Sequence, residues 1–440
     1  MPILNPDAGE WYLTEQPSWP GYVADEHPGR DLNGDGLITQ MRIKRRSGDP
    51  GDEENEYRTL KEGTNPNQRF RGGYARYREP TGEREPTDFN RNWSAEWRSE
   101  EPGGGPYPFS QPEVYAVAKF IAEHRNIFFH YTIHTGGGVK SYMVRPPFNH
   151  PYQTMNHEDN DFYVRLGAIW AEVSNGGVME NNYYSYQFTS GRIDDEGNQI
   201  GYTATMAGFA GDWAYSHQGL FSLTPEVSGI ARDYNGDGYL TDTEIVKWYE
   251  EEVGGIWTVP WESFDHPELG RIEIGGSIEF PQAYGDKLIE DSDSHYKLLT
   301  YVANLAPSLA IRDLKSEKLS GGRLRLTAAI QNTGWLSTYV TRRAIEIRHD
   351  YPVVVELTVD SGGIVEGRET QNIGHILGKF AYIGEWSGSS GWGRQDYEAD
   401  KSTKTIEWIV QPTGSGPFNV TVEAWAYKAG QVNKTITIEN

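Results

Sequence analysis

The hydrophobic pattern changes character twice along the chain. Up to about residue 110, apolar residues stand singly among Gly, Pro and charged positions. No helical or alternating run is sustained there, so this stretch reads as long loops on one face, or as an insertion. Regular order starts at Ser110-Gln111-Pro112-Glu113. A Ser cap, Pro and Glu in the first turn, and Val114, Val117, Ala118 and Ile121 at helical spacing predict a helix that Asn126 stops. Residues 127–133 are apolar on both faces, as in a buried strand of an α/β sheet. A second amphipathic helix is expected over 159–174 and a second buried strand over 219–227. Further helices are expected over 245–252 and 295–309; the aromatic run 183–188 fits neither period. Beyond Pro307 the period falls to two, in runs such as 323–330, 353–359, 405–410 and 418–426, separated by Gly- and Ser-rich turns. The expected fold class is therefore α/β over 1–307, a mixed central sheet flanked by helices. An all-β, immunoglobulin-like sandwich is expected over 308–440.

Composition narrows the function. The formal net charge of -23 argues against nucleic acid as a partner, because phosphate binding needs a basic face. The chain has no Cys, so neither disulfides nor thiolate metal sites exist. No apolar stretch is long enough to span a membrane. The first residues, Met1-Pro2-Ile3-Leu4-Asn5-Pro6-Asp7, lack the basic and apolar regions of a signal peptide.

The candidate chemistry lies at strand ends. His134 follows the strand 127–133 and precedes Thr135 and Gly136 to Gly138. The carboxyl end of a strand is where α/β sheets hold their sites, and glycines let a substrate backbone approach. His130, four residues earlier on the same face, reads as core or support. Glu226 ends the second strand in a carboxylate, and Asn90-Arg91 supplies a guanidinium. An imidazole, a carboxylate and a guanidinium are parts of a metal-assisted peptide-cleaving site. Catalytic zinc usually takes three protein ligands. Nowhere in the sequence does a His precede a Glu or His by three residues.

Six segments, in order, resemble the zinc carboxypeptidase (carboxypeptidase A-like) family over roughly residues 1–305. Asn5-Pro6-Asp7-Ala8 resembles its Asn-Pro-Asp-Gly turn, with Ala for Gly. Asp88-Phe89-Asn90-Arg91-Asn92-Trp93 resembles its Asn-Arg motif, and Gly105 to Glu113 the start of the following helix. Ile133-His134-Thr135 resembles the strand with the third zinc ligand, and Gly201-Tyr202-Thr203-Ala204 the mobile Tyr segment. Gly211-Asp212-Trp213-Ala214-Tyr215, followed by Phe221 to Glu226, resembles the approach to the catalytic Glu. The resemblance implies roles. Glu226 is general base and then proton donor; His134 is a ligand to Zn2+; Asn90 and Arg91 clamp the terminal carboxylate; Tyr202 closes over the substrate. Arg42 is the expected oxyanion stabiliser, although its loop is longer than the family's. The family's first two zinc ligands, a His and a Glu three apart, precede the Asn-Pro-Asp turn, which here begins at residue 5. The expectation is a chain lacking that opening segment and inactive as written, derived from a secreted or cell-envelope enzyme. Its substrate would be a peptide or peptidoglycan stem with a free C-terminus. The competing expectation is a non-catalytic peptide- or glycan-binding adhesion protein on the same scaffold.

Residues 233–244 fit the EF-hand loop: Asp233, Asn235 and Asp237 at positions one, three and five, Tyr239 at seven, and Glu244 at twelve. Structural Ca2+ is expected there. Asp31-Leu32-Asn33-Gly34-Asp35-Gly36 starts the same way, but its twelfth position is Arg42, so it needs a carboxylate from elsewhere, such as Asp25 or Glu26.

Overall fold

A computed structural model describes residues 31–35, 39–44, 57–63, 88–99, 104–135, 142–147, 149–150, 153–174, 178–181, 186–193, 199–204, 207–227, 234–235, 244, 247–248, 251, 258–277, 285–382 and 399–439. In chain order these form β1 (Gln40–Lys44), β2 (Tyr57–Lys61), α1 (Pro112–Glu123), β3 (Phe129–Tyr131), β4 (His134–Thr135) and β5 (Tyr142–Arg145). The hairpin β6 (Asn149–His150) and β7 (Gln153–Thr154) follows, then α2 (His157–Val173), β8 (Val178–Asn181), β9 (Tyr186–Ile193) and β10 (Gln199–Ala204). Next come α3 (Ala210–Gln218), β11 (Phe221–Val227), β12 (Thr258–His266), β13 (Gly270–Ser277) and α4 (Gly285–Ala303). The last part holds β14 (Leu309–Lys318), β15 (Leu324–Asn332), α5 (Arg342–Glu346), β16 (Val353–Val359) and β17 (Gly363–Glu366). It closes with β18 (Thr370–Gly374), β19 (Thr403–Gln411), β20 (Phe418–Ala426) and β21 (Gly430–Ile438).

The N-terminal part is mixed α/β. Its central sheet runs β3-β11-β5-β8, with β4 also on β11. β3 and β4 run parallel to β11, and β5 antiparallel. Two apolar clusters hold the helices to it. Phe162, Tyr163, Leu166 and Trp170 of α2 and Leu298 and Val302 of α4 bury with Phe221 and Leu223 of β11. Val114, Ala118 and Ile121 of α1 bury with Trp93 and with Trp213 and Ala214 of α3. The periodicity of 112–121 thus produces the helix and its buried face together.

Several expectations shift. The buried strand is shorter than 127–133, and Phe129 to Tyr131 are only half-buried. Among the described residues β3 has one neighbour, β11, so one edge lacks a covering strand. The region read as loops contains β1 and β2, which join β12 and β13 in an antiparallel sheet β12-β13-β1-β2. Met41, Ile272 and Ile274 form its small core, too few apolar positions to give a visible run. α4 starts at Gly285 rather than 295. Its polar first half is attached by the Ser294 hydroxyl, which donates to the Val173 carbonyl (3.0 Å). Of the helix expected at 245–252, the described residues show helical backbone at Glu244, Lys247 and Trp248. None of the described helices is long and apolar enough to cross a membrane.

The C-terminal part is β-rich. Two four-stranded antiparallel sheets, β14-β15-β19-β17 and β18-β16-β20-β21, share one apolar cluster. The strict alternation of β15, in which every second residue from Leu324 to Asn332 is buried, follows from one covered face.

The two parts meet through the segment between β15 and β16. Leu336 and Val340 of that segment, joined by Phe380 from beyond β18, enter the α2–α4 cluster. Burying three such side chains contributes roughly 1.5–3 kcal/mol each. Beside them lies a pair of acids that open α2. Asp159, 1% exposed, accepts from the Tyr215 hydroxyl (2.9 Å) and from the backbone N–H groups of Arg342 (2.8 Å) and Arg343 (3.1 Å). Glu158 accepts from the Tyr339 hydroxyl (2.6 Å) and from Arg342 Nε (2.6 Å). Thr341 donates its hydroxyl to the Gly219 carbonyl at the end of α3 (2.8 Å).

Candidate active site

The turn carrying Asn90 and Arg91 is fixed by Asn92, a residue that the sequence reading gave no role. Asn92 is fully buried. Its Nδ2 lies 2.8 Å from the Gly104 carbonyl, 3.0 Å from that of Tyr107 and 2.9 Å from Ser110 Oγ. Its Oδ1 accepts from Gln111 N–H (3.0 Å), so one side chain ties the turn to the start of α1. Trp93 anchors the same turn from below, its ring 5.0 Å from Trp213 and 6.0 Å, edge-on, from Phe109.

The segment before α3 locks this turn in place. Trp93 N–H donates to the Gly208 carbonyl (3.1 Å), and Gly208 N–H to the Ala95 carbonyl (2.9 Å). Gly208 has φ +76°, and a Cβ there would lie 2.1 Å from the Arg91 carbonyl oxygen. The contact therefore requires glycine. Asn90 Oδ1 accepts from Ala210 N–H at the start of α3 (3.1 Å), which directs the amide's donor end elsewhere. Arg91 is 5% exposed; its guanidinium lies 4.6 Å above the Phe209 ring and donates from Nη1 to the Asn90 carbonyl (3.0 Å). Asp88 Oδ2 is 3.8 Å from the same nitrogen.

Across the sheet, His134 and Glu226 are direct register partners on the parallel strands β4 and β11. Tyr142 of β5 faces Glu226 from the other side. Two residues ninety-two positions apart in sequence thus occupy neighbouring sites at the carboxyl ends of two parallel strands. His130 behaves as support. Its Nδ1 lies 2.8 Å from Ser222 Oγ and its Nε2 2.9 Å from Thr132 Oγ1. Burial lowers its pKa to about 4, so the ring is neutral, one nitrogen donating and one accepting.

The remaining candidates lie elsewhere. Tyr202 sits in the two-stranded ribbon β9–β10, opposite Phe188. Arg42 is on β1, in a different sheet from His134 and Glu226. Its Nε donates to Glu273 (2.7 Å) and its guanidinium lies 4.3 Å over the Trp261 ring. The structure therefore brings together positions 134 and 226, and positions 90 and 91, and does not join Arg42 to either pair.

Of the EF-hand residues, Asp233, Asp237 and Tyr239 lie outside the described residues, as do Asp25 and Glu26. Asn235 is exposed. Glu244 is buried and its Oε1 accepts from Tyr234 N–H, the amide of loop position two (3.1 Å). In the first loop the same amide, Leu32 N–H, is held by Glu62 Oε1 (2.7 Å). Glu62 is fully buried and also accepts from Thr39 N–H and Oγ1 (2.9 Å each). Among the described residues Glu62, just past β2, supplies a carboxylate from outside that loop.

These residues do not by themselves fit a catalytic zinc. Three ligands are needed. His134 is the one candidate that the sequence offers, and His130 is committed to Ser222 and Thr132. Among the described residues no group of three or more His, Asp or Glu is placed to hold a metal ion.

Comparison with known proteins supplies the remaining context. Residues 1–253 match the zinc carboxypeptidase family, and residues 308–437 match a domain of unknown function (DUF8731). No curated protein matches the chain. Among solved structures, one that the chain matches is DesR, a β-glucosidase from Streptomyces venezuelae in complex with D-glucose. It is 13% identical, covers 74% of this chain and 36% of that one, and has a TM-score of 0.16, a level that carries no argument about fold.

Proposed function

Since the chain belongs to the zinc carboxypeptidase family, we propose that it carries the substrate-clamping and proton-transfer half of a metallocarboxypeptidase centre. The observation that supports this most is the register pairing of His134 with Glu226. In this reading Glu226 takes a proton from the attacking water and returns it to the leaving amine. Asn90 and Arg91 hold the terminal carboxylate of a peptide, a task suited to a bidentate guanidinium. Tyr202 covers the substrate, and His134 is one metal ligand; when bound, zinc would polarise the scissile carbonyl. Arg42, given to Glu273, is left out of the site. The substrate class is a peptide with a free C-terminus, a peptidoglycan stem being one example, and the destination is the cell envelope or exterior. The two C-terminal sheets are proposed to be the faces of an immunoglobulin-like sandwich that begins at residue 308.

Among the described residues no group of three ligands completes the metal site. Incubated with zinc and a peptide of free C-terminus, the purified chain is therefore expected to release no terminal residue. Release that disappears in Glu226→Gln would overturn the half-site reading in favour of a complete enzyme.

We also propose that calcium occupies the 233–244 loop, supported by the buried Glu244 carboxylate held against loop position two. Calcium is expected to raise Tm by several degrees in a saturable way, and Glu244→Gln to abolish that rise. A melting curve indifferent to calcium and to chelator would remove the ion from the account.

A further inference from the structure

The turn joining β20 to β21 directs a lysine inward. Lys428 is 7% exposed, and among the described residues its Nζ has no hydrogen-bond acceptor. The carboxylate whose charge acts on it is Asp350, and Asp350 Oδ2 is held by His375 Nε2 at 2.6 Å. Two more nitrogenous groups gather at the same place. Arg125, just past α1, has its guanidinium 4.9 Å from the Tyr351 ring and 5.3 Å from that of Tyr427, with Nη1 3.5 Å from the Tyr427 hydroxyl. The His349 ring lies 6.2 Å from Tyr351 at 25°. Burial lowers the pKa of His349, and the charges of Lys428 and Arg125 lower it further, against Asp350.

Two cations and an imidazole thus gather around the Tyr351 and Tyr427 rings, and among the described residues the carboxylate that acts on Lys428 and His349, Asp350, is already engaged, in a chain of net charge -23. A buried ammonium without an acceptor is costly, and such groups are ordinarily paired. Burial lowers Lys428 to about 8, which leaves it mostly charged at neutral pH. Among the described residues the cluster lacks a negatively charged acceptor for the Lys428 ammonium. We propose that Lys428, Arg125 and His349 form a binding site for a small oxyanion, a carboxylate or a phosphate, where the α/β part meets the β-rich part. Arg125 comes from one part and Lys428 and His349 from the other, so the bound anion ties them together. The half-exposed Tyr427 and the exposed Arg125 form the outer layer through which it enters.

The test uses the full chain with acetate and with inorganic phosphate, ionic strength being matched with sodium chloride. At least one of the two is expected to raise Tm saturably and to shift the His349 imidazole resonances with the same midpoint. Saturation by acetate alone identifies a carboxylate ligand, and by phosphate alone a phosphate ligand. Lys428→Met, which removes the buried charge, is expected to be as stable as the parent without anion and to lose the response. Arg125→Gln, a surface change, is expected to weaken the apparent affinity about tenfold, in line with loss of one charge-assisted bond. Absence of a saturable response at matched ionic strength, or an equal response in the Lys428→Met variant, overturns the proposal. The His349 titration of the unmodified chain decides the matter even where a variant fails to fold.

Discussion

Replacing Asp159 with Ala is expected to lower the free energy of unfolding by about 3–5 kcal/mol, near the top of the range for single substitutions. The Asp159 carboxyl is buried and satisfies the Tyr215 hydroxyl and the N–H groups of Arg342 and Arg343. Without it, one buried and two partly buried donors lose their acceptor, each at up to about 1–3 kcal/mol, with partial relief from relaxation and water. Two of those donors open α5, in the segment that inserts Leu336 and Val340 into the N-terminal core. The variant is therefore expected to expose that segment to protease before global unfolding, and denaturant melts with limited proteolysis check both effects. Asp159 also gives the seam a pH dependence. Burial raises its pKa from 3.8 to about 7, against the opposing hydrogen bonds from Arg342, Tyr215 and Arg343. The folded state then keeps a proton that the unfolded state gives up between about pH 4 and 7. Stability on this account falls as pH rises through that window and is level above it, at a slope of at most about 1.4 kcal/mol per pH unit. Asp159→Asn, which cannot titrate, is expected to flatten that slope; an unchanged slope would assign it to other groups.

Gly208→Ala is the second large effect. The added methyl would sit 2.1 Å from the Arg91 carbonyl oxygen and 2.6 Å from its carbon, on a backbone at φ +76°. The neighbour is main chain, so the two segments must separate. That breaks the paired bonds between Trp93 and Gly208 and between Gly208 and Ala95. It also draws Ala210 away from Asn90 Oδ1. The combined loss is expected to be about 3–5 kcal/mol, made up of left-handed strain and lost buried hydrogen bonds. Gly270→Ala has a similar φ of +73° but open space around the new methyl. It is expected to cost about 1–2 kcal/mol, the conformational part alone. Equal losses in the two variants, measured by denaturant unfolding, would show that close packing at residue 208 is not what positions Asn90 and Arg91.

How much of this was legible in the sequence depended on the kind of signal. Helices α1 and α2 announced themselves because each buries a regular apolar face against a sheet. Strand β11 did so because Phe221 and Leu223 are buried within it. The carboxylate at 226 and the imidazole at 134 were visible as strand ends, and their pairing follows from two parallel strands ending together. The sheet containing β1 and β13 was hidden, since three buried residues, Met41, Ile272 and Ile274, form its core and two of them lie more than two hundred positions from the first. The partners of Arg42 were hidden for the same reason: Glu273 and Trp261 are brought near only by long-range pairing. Asn92, Asp159 and Glu62 were illegible because a buried polar residue looks like a surface one until its partners are known.

The most direct measurement is zinc stoichiometry, by titration with a competing chelator, on the 440-residue chain and its His134→Ala variant. With His134 as the one candidate imidazole ligand at these strand ends among the described residues, the chain is expected to hold zinc weakly and substoichiometrically, and the variant to lose even that. One tightly bound zinc per chain, retained through dialysis and accompanied by release of C-terminal residues, would contradict the assignment of these residues to half of a metal centre.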